Sequence, residues 1–260
     1  HDGVEIIEEG TFHYCLSLRA IKLPGVRIIK EYAFDDCRVL RDVEFGNKLE
    51  TIGSNAFAST NLRTIQLPNV RVIGKAAFYD CKQLTEVEFS KDLERIGRVV
   101  FEKCRRLRRI VIPLKNNLIG SDAFHECGDL STVDLVGGIH RTTSSLLLES
   151  WRNEMYDLIG HINRGLPNVN RYQKTATIRQ WMERVINRIE HYKNEHYALL
   201  KEFTTLLELA LWKAKLDESQ DERSLGSDQP AKKVKIDMKA VRQEQRITSG
   251  ASAVIKNVLP

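Results

Sequence analysis

The sequence predicts an α/β repeat solenoid with a short strand and a helical turn in each coil, followed by an α-helical hairpin or coiled coil and a disordered tail. Three observations carry that reading. An apolar phrase recurs six times between residues 7 and 135. A heptad-spaced apolar seam runs from Ile178 to Ala210. From Asp217 the composition turns to Asp, Glu, Ser, Gln and Gly ahead of a lysine-rich stretch. The segments are 1–138, 139–216 and 217–260.

One copy of the phrase reads Ile73, Phe78, Cys81, Leu84, Val87, Phe89, and the next Ile96, Phe101, Cys104, Leu107, Ile110, Ile112. The third copy puts Thr60 where the others have Cys and is one residue short before Leu62. Phenylalanines stand at 12, 34, 57, 78, 101 and 124, a period of 21 to 23 residues. A period of that length means one supersecondary unit per copy, stacked on its neighbours. In Leu-x-x-Ile-x-Leu the last two apolar residues lie two apart, so they share one face of a short strand. The Ile-Gly step before Phe turns the chain, and Ala-Phe-x-x-Cys is expected to form a helical or 3₁₀ turn that buries Phe with Cys. No copy can bury six apolar positions alone; each uses its neighbours as walls. Pro24, Pro68 and Pro113 fall just after strands, where a missing N–H ends the ladder harmlessly.

The phrase L-x-x-I-x-[LIF]…I-G-x-x-A-F-x-x-C resembles the BspA-type leucine-rich repeat over residues 4 to 136. The resemblance implies a curved solenoid with a protein-interaction role and no catalysis. It is silent on the last 120 or so residues.

Charge is unevenly placed. Residues 1–140 carry 20 basic and 20 acidic side chains, so the net +5 lies in 141–260, with 20 basic against 15 acidic. That is too weak for a general nucleic-acid binder, whose footprint is a dense basic stripe. No apolar run has the length of a transmembrane helix. The chain begins at His1 with an abrupt first copy, and reads as a fragment lacking its natural N-terminus. The five cysteines each follow a repeat Phe by three residues, which makes them small buried plugs rather than a zinc set. Parallel side chains and an odd count favour free thiols over bridges, although neighbouring copies lie within disulfide reach. There is no Asn-x-Ser/Thr sequon, which points to an intracellular home, nucleus or cytoplasm.

After the solenoid, the polar cluster Thr142–Ser145 can cap a helix beginning near Leu146. Leu147, Trp151, Met155, Leu158 and Ile162 follow at helical spacing, and Gly165-Leu166-Pro167 stops the run. This helix is expected to cover the end of the last coil. Thr177-Ile-Arg-Gln180 has the form of a capping box. From there Ile178, Met182, Val185, Ile189, Tyr192, His196, Leu199, Phe203, Leu206 and Ala210 recur at alternating steps of four and three. That is a coiled-coil seam on a helix about 50 Å long. If the two helices pair as an antiparallel hairpin, the shorter covers only the beginning of the longer. Leu199, Phe203, Leu206, Leu207 and Trp212 are then left for association with a second copy or another protein.

Lys232, Lys233 and Lys235 form a K-K-x-K core that fits a nuclear-import receptor or is merely a solvated tail. Val254–Leu259 has the makings of a strand or docking peptide. No catalytic set assembles: the sequence has no phosphate loop, Gly-x-Ser-x-Gly, HExxH or Cys-x-x-Cys. His191 and His196, five apart on a helix, point about 140° away from each other and make a poor metal pair. No enzyme activity, cofactor or metal is expected.

A binding surface is expected on the outer face of the strands. Its residues include Lys22, Asp42, Glu44, Gln66, Glu86, Glu88, Arg109 and Asp134, negative through its middle, with Arg19, Arg41, Arg63 and Arg108 along one edge. Such polar ladders also keep a solenoid soluble; as a recognition face this one suits a basic peptide or protein surface. The function expected is a non-catalytic interaction scaffold that uses the solenoid and an associating helix. The alternatives are a nuclear regulator imported through the lysine-rich tail, and a surface adhesin of the resembling family.

Overall fold

The sixfold period becomes a stack of parallel strand pairs. The computed structural model describes residues 3–146 and 148–224, with side chains as far as Asp217. Two compact units divide the chain, His1–Lys201 and Glu202–Pro260. This differs from the expected division at 138/139, because the residues after the solenoid share its core. Lys232, Lys233, Lys235 and Val254–Leu259 lie outside the described residues, as does Leu147.

Every coil contributes a four-residue strand, and the first five add a two-residue strand; in the sixth that strand is reduced to a single bridge from Ile119 to Ile96. The short ones are β1 (Ile6–Ile7), β3 (Ile28–Ile29), β5 (Thr51–Ile52), β7 (Val72–Ile73) and β9 (Arg95–Ile96), paired in that order in one parallel sheet. The longer ones are β2 (Ala20–Leu23), β4 (Asp42–Phe45), β6 (Thr64–Leu67), β8 (Glu86–Phe89), β10 (Arg109–Ile112) and β11 (Thr132–Leu135). β2 pairs with β4, and β6-β8-β10-β11 form a second ladder. The break between β4 and β6 falls at the third copy, whose connection is one residue short. Alternation behaves as the spacing predicts: Ile65 and Leu67 are buried while Thr64 and Gln66 are exposed. The strands ending at Leu23, Leu67 and Ile112 are each followed by the expected Pro.

Between the strands the structure departs from the sequence expectation. The Phe segment is neither helical nor 3₁₀. Residues two before and two after each Phe are left-handed: Tyr32 and Asp36 at φ 54° and 58°, Val99 and Lys103 at 50° and 65°. Alternating hands aim every second N–H at the next coil. Phe34 N–H donates to Ala56 O at 2.8 Å, Phe57 to Ala77 O at 2.8 Å and Phe101 to Ala123 O at 2.8 Å. A 3₁₀ turn would bend those donors back upon itself. Left-handed residues cost of order 1–2 kcal/mol each outside glycine, and the inter-coil bonds offset that cost. The Ile-Gly step also has a different basis from the expected turn. A Cβ on Gly97 would lie 2.7 Å from the carbonyl carbon of Gly74, so the coils approach too closely there for any side chain.

Inside, the rings of Phe34, Phe57, Phe78, Phe101 and Phe124 are fully buried and stacked. Phe78 and Phe101 lie 5.5 Å apart and within 2° of parallel. The cysteines are free and do more than fill space. Cys104 Sγ donates to Phe78 O at 3.1 Å and Cys127 Sγ to Phe101 O at 3.0 Å. Each thiol thus serves the carbonyl of the preceding coil, and burial pushes the Cys37 thiol up to about 11. Where Thr60 replaces Cys, its hydroxyl donates to Phe57 O at 2.9 Å.

The helices are α1 (Gly138–Thr143), α2 (Glu149–Gly165) and α3 (Lys174–Ser224), with a 3₁₀ turn at Leu166–Asn168 between the last two. α1 is an element the sequence reading lacked. Thr142 and Thr143 do not cap the following helix: their hydroxyls donate back to Gly138 O and Ile139 O within α1. α2 starts at Glu149, without a side-chain cap. α3 is 51 residues long and starts before the supposed capping box, so Thr177 is interior to it. The preceding threonine is drawn elsewhere: Thr175 Oγ1 accepts the Phe124 N–H of the last coil at 2.9 Å.

That bond belongs to a cap. Asn163 Oδ1 accepts Val133 N–H at 2.8 Å, and Arg171 O accepts Glu126 N–H at 3.1 Å. Lys174 is 1% exposed and donates to Leu130 O at 2.5 Å and Leu166 O at 3.0 Å. Burial pushes its ammonium pKa down. Met155, Ile159, Ile162, Ile178, Trp181 and Val185 join the solenoid's core. As expected, a helix after the repeats covers the last coil, and here two helices share the task. Trp181 donates to Leu158 O, Arg188 pairs with Glu154, and Tyr192 stacks on Trp151 at 4.8 Å. Rising numbers on α3 meet falling numbers on α2, so the pair is antiparallel.

Candidate interaction surface

The outer face of the long strands carries two outward residues per coil. Parallel register sets them in rows across the coils: Thr64 beside Glu86 beside Arg109 beside Thr132, and Gln66 beside Glu88 beside Val111 beside Asp134. In the separate β2–β4 pair, Ala20 faces Asp42 and Lys22 faces Glu44. Five carboxylates on this face meet two cations. Lys22 Nζ sits 2.6 Å from Glu44, and both are mostly in solvent. Arg109 contacts Asp134 at 2.7 Å and also Glu86. The hydrogen bond to Asp134, with the carboxylate of Glu86 behind it, holds the Arg109 guanidinium charged. Asp42 and Glu88 are exposed and have no ion pair among the described residues. The face is thus partly self-neutralised at two places and open at two others.

At the end formed by β10 and β11, α1 and α2 stand over the sheet and leave a cleft of about 530 Å³. Glu88, Val111 and Asp134 line it from the sheet, and Ile139, His140 and Tyr156 from the helices. Val111 points outward on its strand yet is only 6% exposed, because the helices stand over it. The Tyr156 hydroxyl lies 2.6 Å from His140 Nδ1, which fixes both rings. Sequence reasoning found the sheet residues and missed His140, Tyr156 and Asn163. The signal available was Gly137-Gly138, one residue past the last strand: both glycines have positive φ, 80° and 77°, and turn the chain back over the sheet.

The second surface is on α3. Ile178, Met182, Val185 and Tyr192 of the heptad seam are buried. Farther along the same seam Leu199, Phe203 and Leu206, with Leu207 and Trp212 beside them, are 50–76% exposed. His196, read from sequence as a polar seam residue, is half-buried, and His191 pairs with Glu195 instead, at 3.2 Å. Among the described residues no group of three His, Cys, Asp or Glu side chains could hold a metal, and no helix is long and apolar enough to cross a membrane.

The repeats, though not the helices that follow them, match known proteins. Residues 5–131 match the family described as BspA type leucine rich repeat region, in six copies. Among solved structures, a leucine-rich repeat protein from Bacteroides ovatus is similar at 32% identity over 52% of this chain and 35% of its own, with a TM-score of 0.45. The pneumococcal vaccine antigen PcpA is similar at 27% identity over 45% and 30%, with a TM-score of 0.42. The T. pallidum leucine rich repeat protein matches at 26% identity over 50% and 74%, with a TM-score of 0.40. The chain therefore spans about a third of the length of the first two. No curated protein is significantly similar to it.

Proposed function

We propose, from the premise that residues 5–131 are a BspA-type leucine-rich repeat region, that the chain is a non-catalytic interaction scaffold. The sheet face presents charge to a protein partner, and the exposed seam of α3 associates with a second copy of the chain. The observation that carries the proposal is the run from Leu199 to Trp212, where large apolar side chains along a heptad seam stay mostly exposed. Fully burying each such side chain is worth about 1.5–3 kcal/mol, enough for a handful to hold an interface. The heptad phase favours a helix like itself as the occupant.

Sedimentation of the full chain at micromolar concentration tests this. The wild type is expected to run as a dimer or higher species, and Phe203→Lys with Leu206→Lys as a monomer with the same helical content. A wild type that sediments as a monomer overturns self-association.

A further inference from the structure

We infer that the cleft beneath α1 and α2 receives a lysine or arginine side chain of a basic peptide lying along the sheet face. This rests on the reading of that face as a partner surface and names what the partner must carry. At about 530 Å³ the cleft falls within the range of about 300–1,000 Å³ typical of ligand sites. Its two kinds of wall suit the two parts of one side chain. Val111, Ile139 and Tyr156 offer apolar surface to a methylene stem, as long cationic side chains require when they bury the stem and keep the head polar.

The head meets excess negative charge. Arg109 shares two carboxylates, Glu86 and Asp134, so that trio is one charge negative. Glu88 adds another and is the member without an ion pair among the described residues. Arg109 is the sole lysine or arginine in the lining, and it is already engaged. An anionic group would meet Glu88 and Asp134, so an acidic partner is disfavoured. From the cleft the row Asp134–Val111–Glu88–Gln66 runs out to the exposed Glu88 and Gln66, which gives a peptide room to extend.

The test uses the full chain and fluorescein-labelled hexalysine, with Nε-acetylated hexalysine as the uncharged counterpart, followed by anisotropy at low and physiological salt. Hexalysine is expected to bind and the acetylated peptide to fail. Glu88→Gln is expected to weaken binding about tenfold. Asp42→Asn removes an equal charge from the same face outside the cleft and is expected to change affinity less than twofold. Val111→Trp fills the cleft while keeping every carboxylate, and is expected to weaken binding as much as Glu88→Gln.

Equal losses from Asp42→Asn and Glu88→Gln overturn the cleft and leave only a diffusely acidic face. No hexalysine binding also overturns it, while the association of α3, read by sedimentation, stands or falls separately. Binding seen only after Lys232, Lys233 and Lys235 are changed to Ala gives the cleft to the chain's own tail and overturns assignment to a partner.

Discussion

Phe101 and Phe203 are the same side chain in two periodic apolar seams, and their surroundings are opposite. Phe101 has a ring stacked on either side, Phe78 at 5.5 Å and Phe124 at 5.7 Å, and no exposure. Phe203, three-quarters exposed, has no such neighbour among the described residues. The difference lies in how each period is completed. A repeat of some 22 residues supplies its own next layer, so apolar positions in one coil are covered by the same positions in the next. A heptad repeat on one helix supplies only a stripe, and the stripe needs another helix. α2, at 17 residues, supplies that helix for the first part of a 51-residue α3. Apolar periodicity is therefore core in the solenoid and, beyond the reach of α2, an exposed stripe on α3.

The largest expected effect breaks the solenoid side of this contrast. Phe101→Ala should cost about 3–5 kcal/mol and loosen the adjoining coils together. Phe203→Ala should leave unfolding of the repeats within about 0.5 kcal/mol, measured by urea unfolding at a concentration where the chain is monomeric. Equal losses from the two would mean that the α3 seam is covered within the chain.

A smaller effect is expected where the solenoid runs out of coils. There the next layer is replaced by single atoms of the cap, and Thr175 Oγ1 stands in for a backbone carbonyl toward Phe124 N–H. Thr175→Val keeps the shape and leaves that buried donor without an acceptor, which should cost about 1–3 kcal/mol. Hydrogen exchange should accelerate first at Phe124 and its coil. Uniform acceleration over all six coils would show that the cap does not act locally.

These contrasts also show what the sequence could and could not reveal. Period, strand positions, inward and outward residues, the Phe stack and the free thiols all follow from spacing, because the same side-chain types recur in register. The exposed row Leu199–Trp212 was legible for the same reason. The turn conformation was not. Its left-handed sites are held by Tyr32, Val99 and Lys103 as well as by Asn55 and Asp80, so residue type carries little of the signal. The cap was equally hidden: Asn163, Thr175 and Lys174 act through groups 30 to 51 residues away. A threonine that leaves helix capping to serve the last coil cannot be told by local pattern from one that stays. The cleft depends on α1, which is too short to show a helical period.

The smallest expected effect concerns how the solenoid affords its unusual backbone. Val99 is a β-branched residue at φ 50°, a conformation such residues rarely adopt. It holds because its N–H reaches Ser121 O at 3.0 Å and the flanking coils fix the turn. Glycine at 99 would relieve about 1–2 kcal/mol of strain. Against that stand about 0.5–1 kcal/mol of added unfolded-state entropy and the loss of a half-buried isopropyl group. The balance should leave Val99→Gly within about 0.5 kcal/mol of the wild type. Its exposed neighbour Arg98 has no positive φ, so Arg98→Gly gains no relief and should cost about 0.5–1 kcal/mol. Were the segment a 3₁₀ turn, Val99→Gly would be the more damaging of the two, since it would lose both entropy and packing. Paired urea denaturation curves give the order directly, and a larger loss at 99 than at 98 would overturn the left-handed ladder as the device that joins one coil to the next.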